Sequence, residues 1–232
     1  MKKIKDWFYY RVICFLRINK FTSFYSSHSQ FGEDMVLRGL IGNKRKGFYI
    51  DIGAHHPIYY SNTYHFHLKG WRGINIDALP GSMETFNDLR PNDINVEACM
   101  SDQDGQKVNF YEFSKPALNS FDKEYADSME SNGEKIVRTH KLETKTLATI
   151  LKEHQIKQNN IDFLTIDIEG IDEIVLKSIN FTEFRPNYIV FESHDFNFYN
   201  IHENEMISYL KQNNYEITAK AGPSLILKDL NL

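Results

Sequence analysis

The sequence predicts an α/β fold organised around a mostly parallel β-sheet. From residue 33 onward, short apolar runs typical of strands alternate with segments of helical character, and such alternation joins parallel strands through right-handed crossovers. Several of the predicted strands end in acidic side chains. Residues 215–220 and 225–228 flank a Gly-Pro turn and predict an antiparallel pair that closes the sheet.

The length and composition favour one large globular domain. We assign this domain to residues 29–232 of the 232-residue chain. Hydrophobic residues make up 41% of the chain and aromatic residues 14%, which favours a packed core over disorder. The net charge of -4 argues against nucleic acid as a partner. Cys14 and Cys99 lack metal-ligand spacing, and we expect two reduced thiols in a cytoplasmic protein.

Residues 1–28 are predicted as a separate basic and aromatic helical arm. Lys2, Lys3 and Lys5 precede a Trp-Phe-Tyr-Tyr run, but Arg11 and Arg17 interrupt the apolar stretch. We therefore expect neither a signal peptide nor a transmembrane segment. Two interpretations stay open: the arm packs on its own domain, or it lies on another surface, with residues 1–20 on the anionic inner face of a membrane or on a partner.

The first half of the domain alternates helices and strands. Glycine and proline bound the segments, because glycine ends helices and the residue before proline disfavours helix. Strands are assigned where β-branched and aromatic residues run without a polar face, as in strands buried on both sides. These criteria predict a helix at 33–42, a strand at 48–52, a helix at 61–69 capped by Ser61 or Asn62, a strand at 71–77, a helix at 80–90 and a strand at 94–100.

The second half adds antiparallel and irregular parts. The alternating residues 108–113 predict a hairpin strand. Residues 114–135 are polar and lack periodicity, which leaves two interpretations, a mobile lid over the site or a plain surface loop. The remaining predicted elements are a helix at 146–154, a strand with its acidic exit at 161–170, a helix at 172–179, a strand at 188–191, a helix at 203–212 and the closing pair.

Four predicted strands end in acidic or polar side chains, and these ends form the candidate site. They carry Asp51, Asp77, the pair Asp167 and Glu169, and the trio Glu192, His194 and Asp195. Each acid alone could cap the helix that follows it. Because parallel strands align their carboxyl ends along one edge of the sheet, the four ends together favour a single ligand site.

The loop after the first strand narrows the class of ligand. Asp77 follows Asp51 by 26 residues at the end of the next strand, where an acid accepts hydrogen bonds from ribose hydroxyls in nucleotide-binding folds. Gly53 and Ala54 leave room for a ligand, but the loop lacks the G-x-G-x-x-G cradle of a pyrophosphate. A nucleoside without phosphates fits better, and S-adenosylmethionine, a cation that carries a ribose, suits this acidic edge.

Six segments resemble the FkbM-type methyltransferases, in the same order along the chain. They are SQFGED at 29–34, GFYIDIGA at 47–54, SNT at 61–63, GWRGINID at 70–77, IDFLTIDIEG at 161–170 and RP at 185–186. The resemblance implies a class I, Rossmann-like methyltransferase fold with seven strands, helices on both faces and an antiparallel C-terminal hairpin. It also implies an S-adenosylmethionine-dependent O-methyltransferase, often for hydroxyls of glycan sugars or polyketides. His55 departs from the pattern, because such proteins usually carry Asn there.

The resemblance and the chemistry of methyl transfer assign roles to individual residues. His194, oriented by Glu192 or Asp195, is the predicted base that takes the proton from the acceptor hydroxyl. Asp167 and Glu192 are predicted as further catalytic residues. Asp167, Glu169 and Glu192 are the predicted ligands of a divalent cation such as Mg²⁺, with substrate contact or helix capping as the alternatives. The residues predicted to contact the cofactor are Gln30, Glu33, Asp51, Gly53, Ala54, His55, Ser61, Asn62, Asp77, Ala78, Ser101, Asp102 and Asp167.

The predicted function is O-methylation of a hydroxyl on a sugar, sugar-nucleotide or glycan, for surface polysaccharide biosynthesis. One alternative is an NAD-dependent nucleotide-sugar oxidoreductase, which the missing glycine pattern disfavours. The other is a non-catalytic binding protein that retains the fold. The sequence does not decide the identity of the acceptor, and it leaves a homodimer open.

Overall fold

The computed structural model of the chain describes residues 26–156, 161–194, 196–199 and 204–232. The strands in these ranges are β1 (Phe48–Ile52), β2 (Arg72–Asp77), β3 (Ile94–Glu97), β4 (Cys99–Met100), β5 (Lys107–Phe113), β6 (Ile136–Lys145), β7 (Phe163–Ile166), β8 (Tyr188–Glu192), β9 (Tyr215–Ala221) and β10 (Ser224–Asp229). The helices are α1 (Glu33–Ile41), α2 (Tyr64–Leu68), α3 (Met83–Leu89), α4 (Lys123–Ser131), α5 (Leu147–Glu153), α6 (Asp172–Ser178) and α7 (Glu205–Gln212), with a 3-10 turn at Pro116–Leu118.

The centre of the described structure is a seven-stranded sheet with the order β3-β2-β1-β7-β8-β10-β9. The first five strands in this order run parallel, whereas β10 is antiparallel to both β8 and β9. The order reverses between β1 and β7, so the carboxyl ends of these two strands open a crevice where α/β folds bind ligands. The predicted α/β class and the predicted antiparallel closing pair are confirmed.

Alternate residues of β1 enter two separate cores, because successive side chains of a strand point to opposite faces. Ile50 and Ile52 pack in the larger core, which includes side chains of α5, α6 and α7. Tyr49 packs in the smaller core with Leu37 of α1 and Phe66 of α2. Helices therefore cover both faces of the sheet, as predicted, and this burial explains why β1 has no polar face.

A second, three-stranded sheet with the order β4-β6-β5 lies after the first half of the domain. β5 and β6 pair antiparallel over almost their full length, so the predicted antiparallel strand is confirmed. The two strands are joined by residues 114–135 and not by a tight hairpin turn, so the predicted hairpin is wrong. The predicted strand at 94–100 is in fact two strands. β3 pairs with β2 in the central sheet, whereas β4 leaves that sheet and pairs with β6.

The prediction of an irregular segment at residues 114–135 is wrong. This segment contains the 3-10 turn and the nine-residue helix α4, which Asp122 caps by accepting hydrogen bonds from the backbone N–H groups of Glu124 and Tyr125. We call residues 116–131 the cap segment. The helix escaped sequence analysis because only Ala126 in it is buried, so it has no apolar stripe.

The N-terminal arm lies outside the described residues except for its last three. Ser27 and His28 donate hydrogen bonds to the buried carboxylate of Asp34 at the start of α1. Among the described helices, none is long and apolar enough to cross a membrane.

Candidate active site

A cavity of about 670 Å³ opens where the strand order reverses, at the carboxyl ends of the parallel strands. Its volume is within the range of ordinary small-molecule sites. Predicted site residues that line it are Gln30, Gly53, His55, Asp77, Ala78, Asp167, Glu169, Glu192 and His194. The ends of β1, β2, β7 and β8 thus meet at one cavity, as the acidic strand ends predicted.

Gly53 allows the exits of β1 and β7 to touch. Its backbone has a φ of 81°, in the left-handed region. A Cβ atom at this position would lie 1.8 Å from the backbone oxygen of Asp167. The N–H groups of Gly53 and Ala54 both donate to the carbonyl oxygen of Ile76 on β2, at 2.9 Å. The loop after β1 is therefore fixed against two neighbouring strands.

Asp77 ends β2 and holds the same loop from the other side. Its carboxylate accepts hydrogen bonds from the backbone N–H of His55 at 2.9 Å and from that of Leu79 at 2.8 Å. Burial raises the pKa of Asp77, while these two hydrogen bonds oppose the shift. Each carboxylate oxygen can accept more than one hydrogen bond, so Asp77 retains capacity for a ligand in the cavity.

Asp167 and Glu169 follow β7 and bring two further carboxylates to the cavity. Burial, followed by the charge of Glu192, raises the pKa of Asp167 well above its usual value. Glu169 has a φ of 40°, which is uncommon for a residue with a side chain and typical of functional turns.

Glu192 and His194 form a pair at the exit of β8. His194 Nε2 lies 3.1 Å from Glu192 Oε2, and the His194 side chain is 71% exposed while that of Glu192 is 15% exposed. Burial raises the pKa of Glu192, and the neighbouring His194 opposes that shift. The imidazole therefore lies at the cavity mouth, where it can reach both solvent and a bound molecule.

Asp172, at the start of α6, makes stability depend on pH. Burial raises its pKa to about 7, although the N–H of Ile168 donates to its carboxylate at 3.3 Å. A carboxyl group with a raised pKa in the folded state stabilises that state below about pH 4, and this contribution is lost as the pH rises through about 7. We expect Asp172→Asn, which keeps the acceptor oxygen, to raise the Tm at pH about 8 by several degrees, at about 2–4 °C per kcal/mol.

The same Asp172→Asn variant should leave the Tm near pH 4 almost unchanged. Differential scanning calorimetry at both pH values measures the effect. Asp127→Asn is the matched control, because Asp127 is exposed and pairs only with Lys123 in the described structure. A lower Tm for Asp172→Asn at the higher pH would contradict the assignment.

The cap segment forms the wall of the cavity opposite the strand ends. It contributes Leu118, Phe121, Tyr125 and other side chains to the lining. Ser120 Oγ donates to the backbone oxygen of Glu169 at 2.7 Å, and Tyr125 hydrogen-bonds with the Glu169 side chain. The segment is thus attached to the exit of β7. Its position at the cavity agrees with the lid interpretation, whereas its mobility stays a prediction.

Several predicted cofactor contacts lie behind the cavity wall instead of lining it. Asn62 Nδ2 donates to Thr165 Oγ1 on β7 at 2.9 Å, and Glu33 accepts from Ser224 Oγ at 2.9 Å. Ser101 Oγ donates to Asp102 Oδ1. The predicted residues absent from the lining are Glu33, Asp51, Ala54, Ser61, Asn62, Ser101 and Asp102. Asn62 and Glu33 thus make contacts within the protein that join different elements, whereas Asp102 is exposed.

The predicted metal ligands Asp167, Glu169 and Glu192 are not arranged as a metal site. In the described ranges, no three side chains of His, Cys, Asp or Glu are grouped so that they could hold a metal ion. Asp195, the alternative partner of His194, lies outside those ranges. Since the geometry does not fit a cation, we derive no chemical step from one.

Sequence reasoning missed two groups of residues at this site. The aromatic side chains Phe110, Phe121 and Tyr125 line the cavity, and they come from parts of the chain that gave no motif. The buried Arg90 supports the loop after β1. A usable signal existed only for the cap segment, where Asp122 precedes a run of good helix formers.

Comparison with known families identifies the domain. A family model described as the methyltransferase FkbM domain matches residues 51–217, a range that includes every described cavity-lining residue except Gln30, Phe31 and Pro223. No curated protein matches the chain. The match covers more than half of the sequence and includes the carboxyl ends of the four strands that form the cavity. The chain is therefore a methyltransferase, and it belongs to the FkbM methyltransferase family.

Proposed function

We propose that the protein is an S-adenosylmethionine-dependent O-methyltransferase that acts on a hydroxyl group of a sugar, sugar-nucleotide or glycan, in the synthesis of a surface polysaccharide. The observation that carries the proposal is the shared cavity of Asp77 and the Glu192–His194 pair. The first offers a carboxylate for a ribose, and the second offers a base for a hydroxyl. The carboxylate of Asp77 would bind the cofactor, and His194 would take the proton that the acceptor hydroxyl loses on methyl transfer.

The composition of the cavity supports this cofactor. Ala78, Leu79 and Met100 form an apolar wall beside Asp77, suited to an adenine ring. Among the described residues that line the cavity there is neither Lys nor Arg, so a dinucleotide would find no cationic partner for its pyrophosphate. When bound, S-adenosylmethionine supplies an electrophilic methyl group on a cationic sulfur.

The Glu192–His194 pair can take a proton from an acceptor. If His194 Nε2–H donates to Glu192 Oε2, the Nδ1 atom is left as the hydrogen-bond acceptor. A hydroxyl that donates to Nδ1 would lose its proton there, and the carboxylate of Glu192 would stabilise the imidazolium that forms. The apolar side chains of the cap segment, such as Leu118 and Phe121, would limit the access of water.

The charge of the cavity favours an acceptor group without phosphate. Asp77, Asp167, Glu169 and Glu192 all face it, and a phosphate near them would be repelled. For a sugar-nucleotide, the diphosphate would have to stay outside the cavity. Exposed aromatic rings at the lining, such as Tyr60 at 60% exposure, offer flat surfaces to an uncharged sugar.

Isothermal titration with S-adenosylhomocysteine tests the cofactor, and transfer of an isotope-labelled methyl group to a panel of neutral glycosides tests the acceptor class. We expect binding followed by alkali-stable incorporation, as for a methyl ether. Absence of binding at millimolar concentration would reject the proposed cofactor. Binding without transfer to any hydroxyl would favour the non-catalytic alternative.

We expect Asp77→Asn to weaken S-adenosylhomocysteine binding by about 10- to 100-fold. The amide keeps one acceptor oxygen for the loop but loses the charge-assisted hydrogen bond to the ribose, worth about 1.5–3 kcal/mol. Isothermal titration measures the change. Asp127→Asn, an exposed carboxylate on α4 that does not line the cavity, should bind like the wild type, and equal affinities of both variants would count against the ribose contact.

A further inference from the structure

Arg90 is fully buried, although it lies outside the cavity lining. Its guanidinium group lies over the rings of Tyr64 and Phe86, at 5.3 and 5.4 Å from their centroids. A buried arginine is tolerated only when its charge is paired and its N–H groups are hydrogen-bonded. The residues that accept its hydrogen bonds and balance its charge therefore indicate the role of Arg90.

All five N–H groups of Arg90 donate to identified acceptors. Nε donates to the backbone oxygen of Pro57 at 2.9 Å, and Nη2 donates to the same oxygen. Nη2 also donates to Ser61 Oγ at 2.9 Å. Nη1 donates to Thr63 Oγ1 at 2.8 Å and to Asn75 Oδ1 at 3.1 Å. Three of the four partner residues belong to the β1–α2 loop, residues 53–63.

The positive charge of Arg90 is balanced through neutral groups. Thr63 Oγ1 donates to the buried carboxylate of Asp51 at 2.6 Å, and Asn75 Nδ2 donates to that of Asp93 at 3.3 Å. Since the Thr63 proton is used by Asp51, the Ser61 hydroxyl must donate to Thr63 Oγ1, 3.2 Å away. The Ser61 and Thr63 oxygens therefore both accept from the guanidinium, and their protons point away from it, to Thr63 Oγ1 and to Asp51.

The β1–α2 loop needs such support because it contains backbone strain. His55 has a φ of 50° and Tyr60 a φ of 54°, both in the left-handed region and both at cavity-lining residues. Each such conformation costs about 1–3 kcal/mol and persists only where the surrounding structure holds it. Pro57 lies between the two strained residues, and it receives two hydrogen bonds from Arg90.

We propose that Arg90 is a positioning residue that holds the β1–α2 loop in its ligand-binding conformation and thereby sets the affinity for the cofactor. The effect on cofactor affinity rests on the function proposed above. Arg90 does not touch the cavity and acts through Pro57, Ser61 and Thr63. Lysine cannot replace it, because an ammonium group has three donors and no planar fork.

Hydrogen–deuterium exchange of the cofactor-free protein tests the first part. In Arg90→Lys we expect the backbone amides of residues 55–61 to exchange at least about tenfold faster than in the wild type, while those of β1 stay unchanged. Isothermal titration should then show S-adenosylhomocysteine binding weakened at least about tenfold, since a misplaced loop loses several contacts at once. Guanidinium added at low millimolar concentration should restore the affinity of Arg90→Ala for S-adenosylhomocysteine, whereas sodium chloride of equal ionic strength should not.

Arg185→Lys is the matched control. Arg185 donates to Asp229 and to the backbone oxygen of Asn213 and lies over the Tyr215 ring, away from the cavity. Arg185→Lys should lower the Tm, but it should change neither the amide exchange of residues 55–61 nor the affinity for S-adenosylhomocysteine. Arg90→Lys with wild-type exchange at 55–61 would overturn the proposal, and so would faster exchange with unchanged affinity. A wild-type protein that fails to bind S-adenosylhomocysteine would reject the proposed function alone, because the exchange experiment still decides the role of Arg90 in the loop.

Discussion

Gly53→Ala is expected to cost the protein at least about 4 kcal/mol of folding stability, a value that single substitutions rarely reach. The new Cβ would lie 1.8 Å from the carbonyl oxygen of Asp167 and 2.7 Å from its carbonyl carbon. Both are backbone atoms at the exit of β7, and Ile52 and Ile166 are paired directly before them. The contact can be relieved only by separating two central strands. Urea unfolding followed by circular dichroism measures the loss.

Gly81→Ala is the control that separates this contact from backbone strain. Gly81 also lines the cavity and has a φ of 84°, but a Cβ there would meet nothing within 4 Å. Its substitution should cost only about 1 kcal/mol, the price of a left-handed alanine. The difference between the two variants therefore measures the close approach of the β1 and β7 exits. If both variants were equally stable, that approach would be excluded.

The central sheet could be predicted because local sequence determines its strands. Apart from Asp51, the segment from Phe48 to Ile52 is apolar on both sides because it faces two cores. The acid that ends β2, Asp77, marks the edge of the sheet that binds ligands. The antiparallel pair β9–β10 was equally predictable, because a Gly-Pro turn separates two alternating runs. In each case the sequence pattern that predicts the strand lies within the strand or in the turn beside it.

The second sheet could not be predicted because its strands depend on distant partners. β6 reads IVRTHKLETK, and most of its side chains are exposed or half-buried, so hydrophobic periodicity is weak. Its strand conformation comes from pairing with β5. On its other side β6 pairs in parallel with Cys99 and Met100 of β4. This second pairing divides the single strand that was predicted at 94–100 into β3 and β4.

The candidate site was predictable at the level of strand ends but not of side-chain direction. Asp77, Asp167 and Glu192 face the cavity, and each directly ends or follows a strand. Ser61, which was expected to contact the cofactor, accepts a hydrogen bond from Arg90 through its Oγ. That contact joins residues 29 positions apart in the chain, and no local pattern encodes it. Ser61 therefore belongs to the hydrogen-bond network that holds the β1–α2 loop.

The Glu192–His194 pair has a counterpart elsewhere in the chain that makes its role testable. His140 Nε2 lies 2.7 Å from Glu112 Oε2, between β6 and β5. Neither of these two residues lines the cavity. Both pairs thus place an imidazole beside a carboxylate, yet only the pair at the exit of β8 can reach a molecule in the cavity.

We expect His194→Ala to lower kcat for methyl transfer by about 10²- to 10⁴-fold, the usual contribution of a positioned base. The affinity for S-adenosylhomocysteine should change by no more than about twofold, because the imidazole is mostly exposed and does not support the loop beside Asp77. The rate is measured with an acceptor that the wild type methylates, and His140→Ala should retain wild-type kcat. Equal rates for His194→Ala and the wild type would leave Asp167, whose raised pKa makes it the next candidate, as the group that accepts the proton.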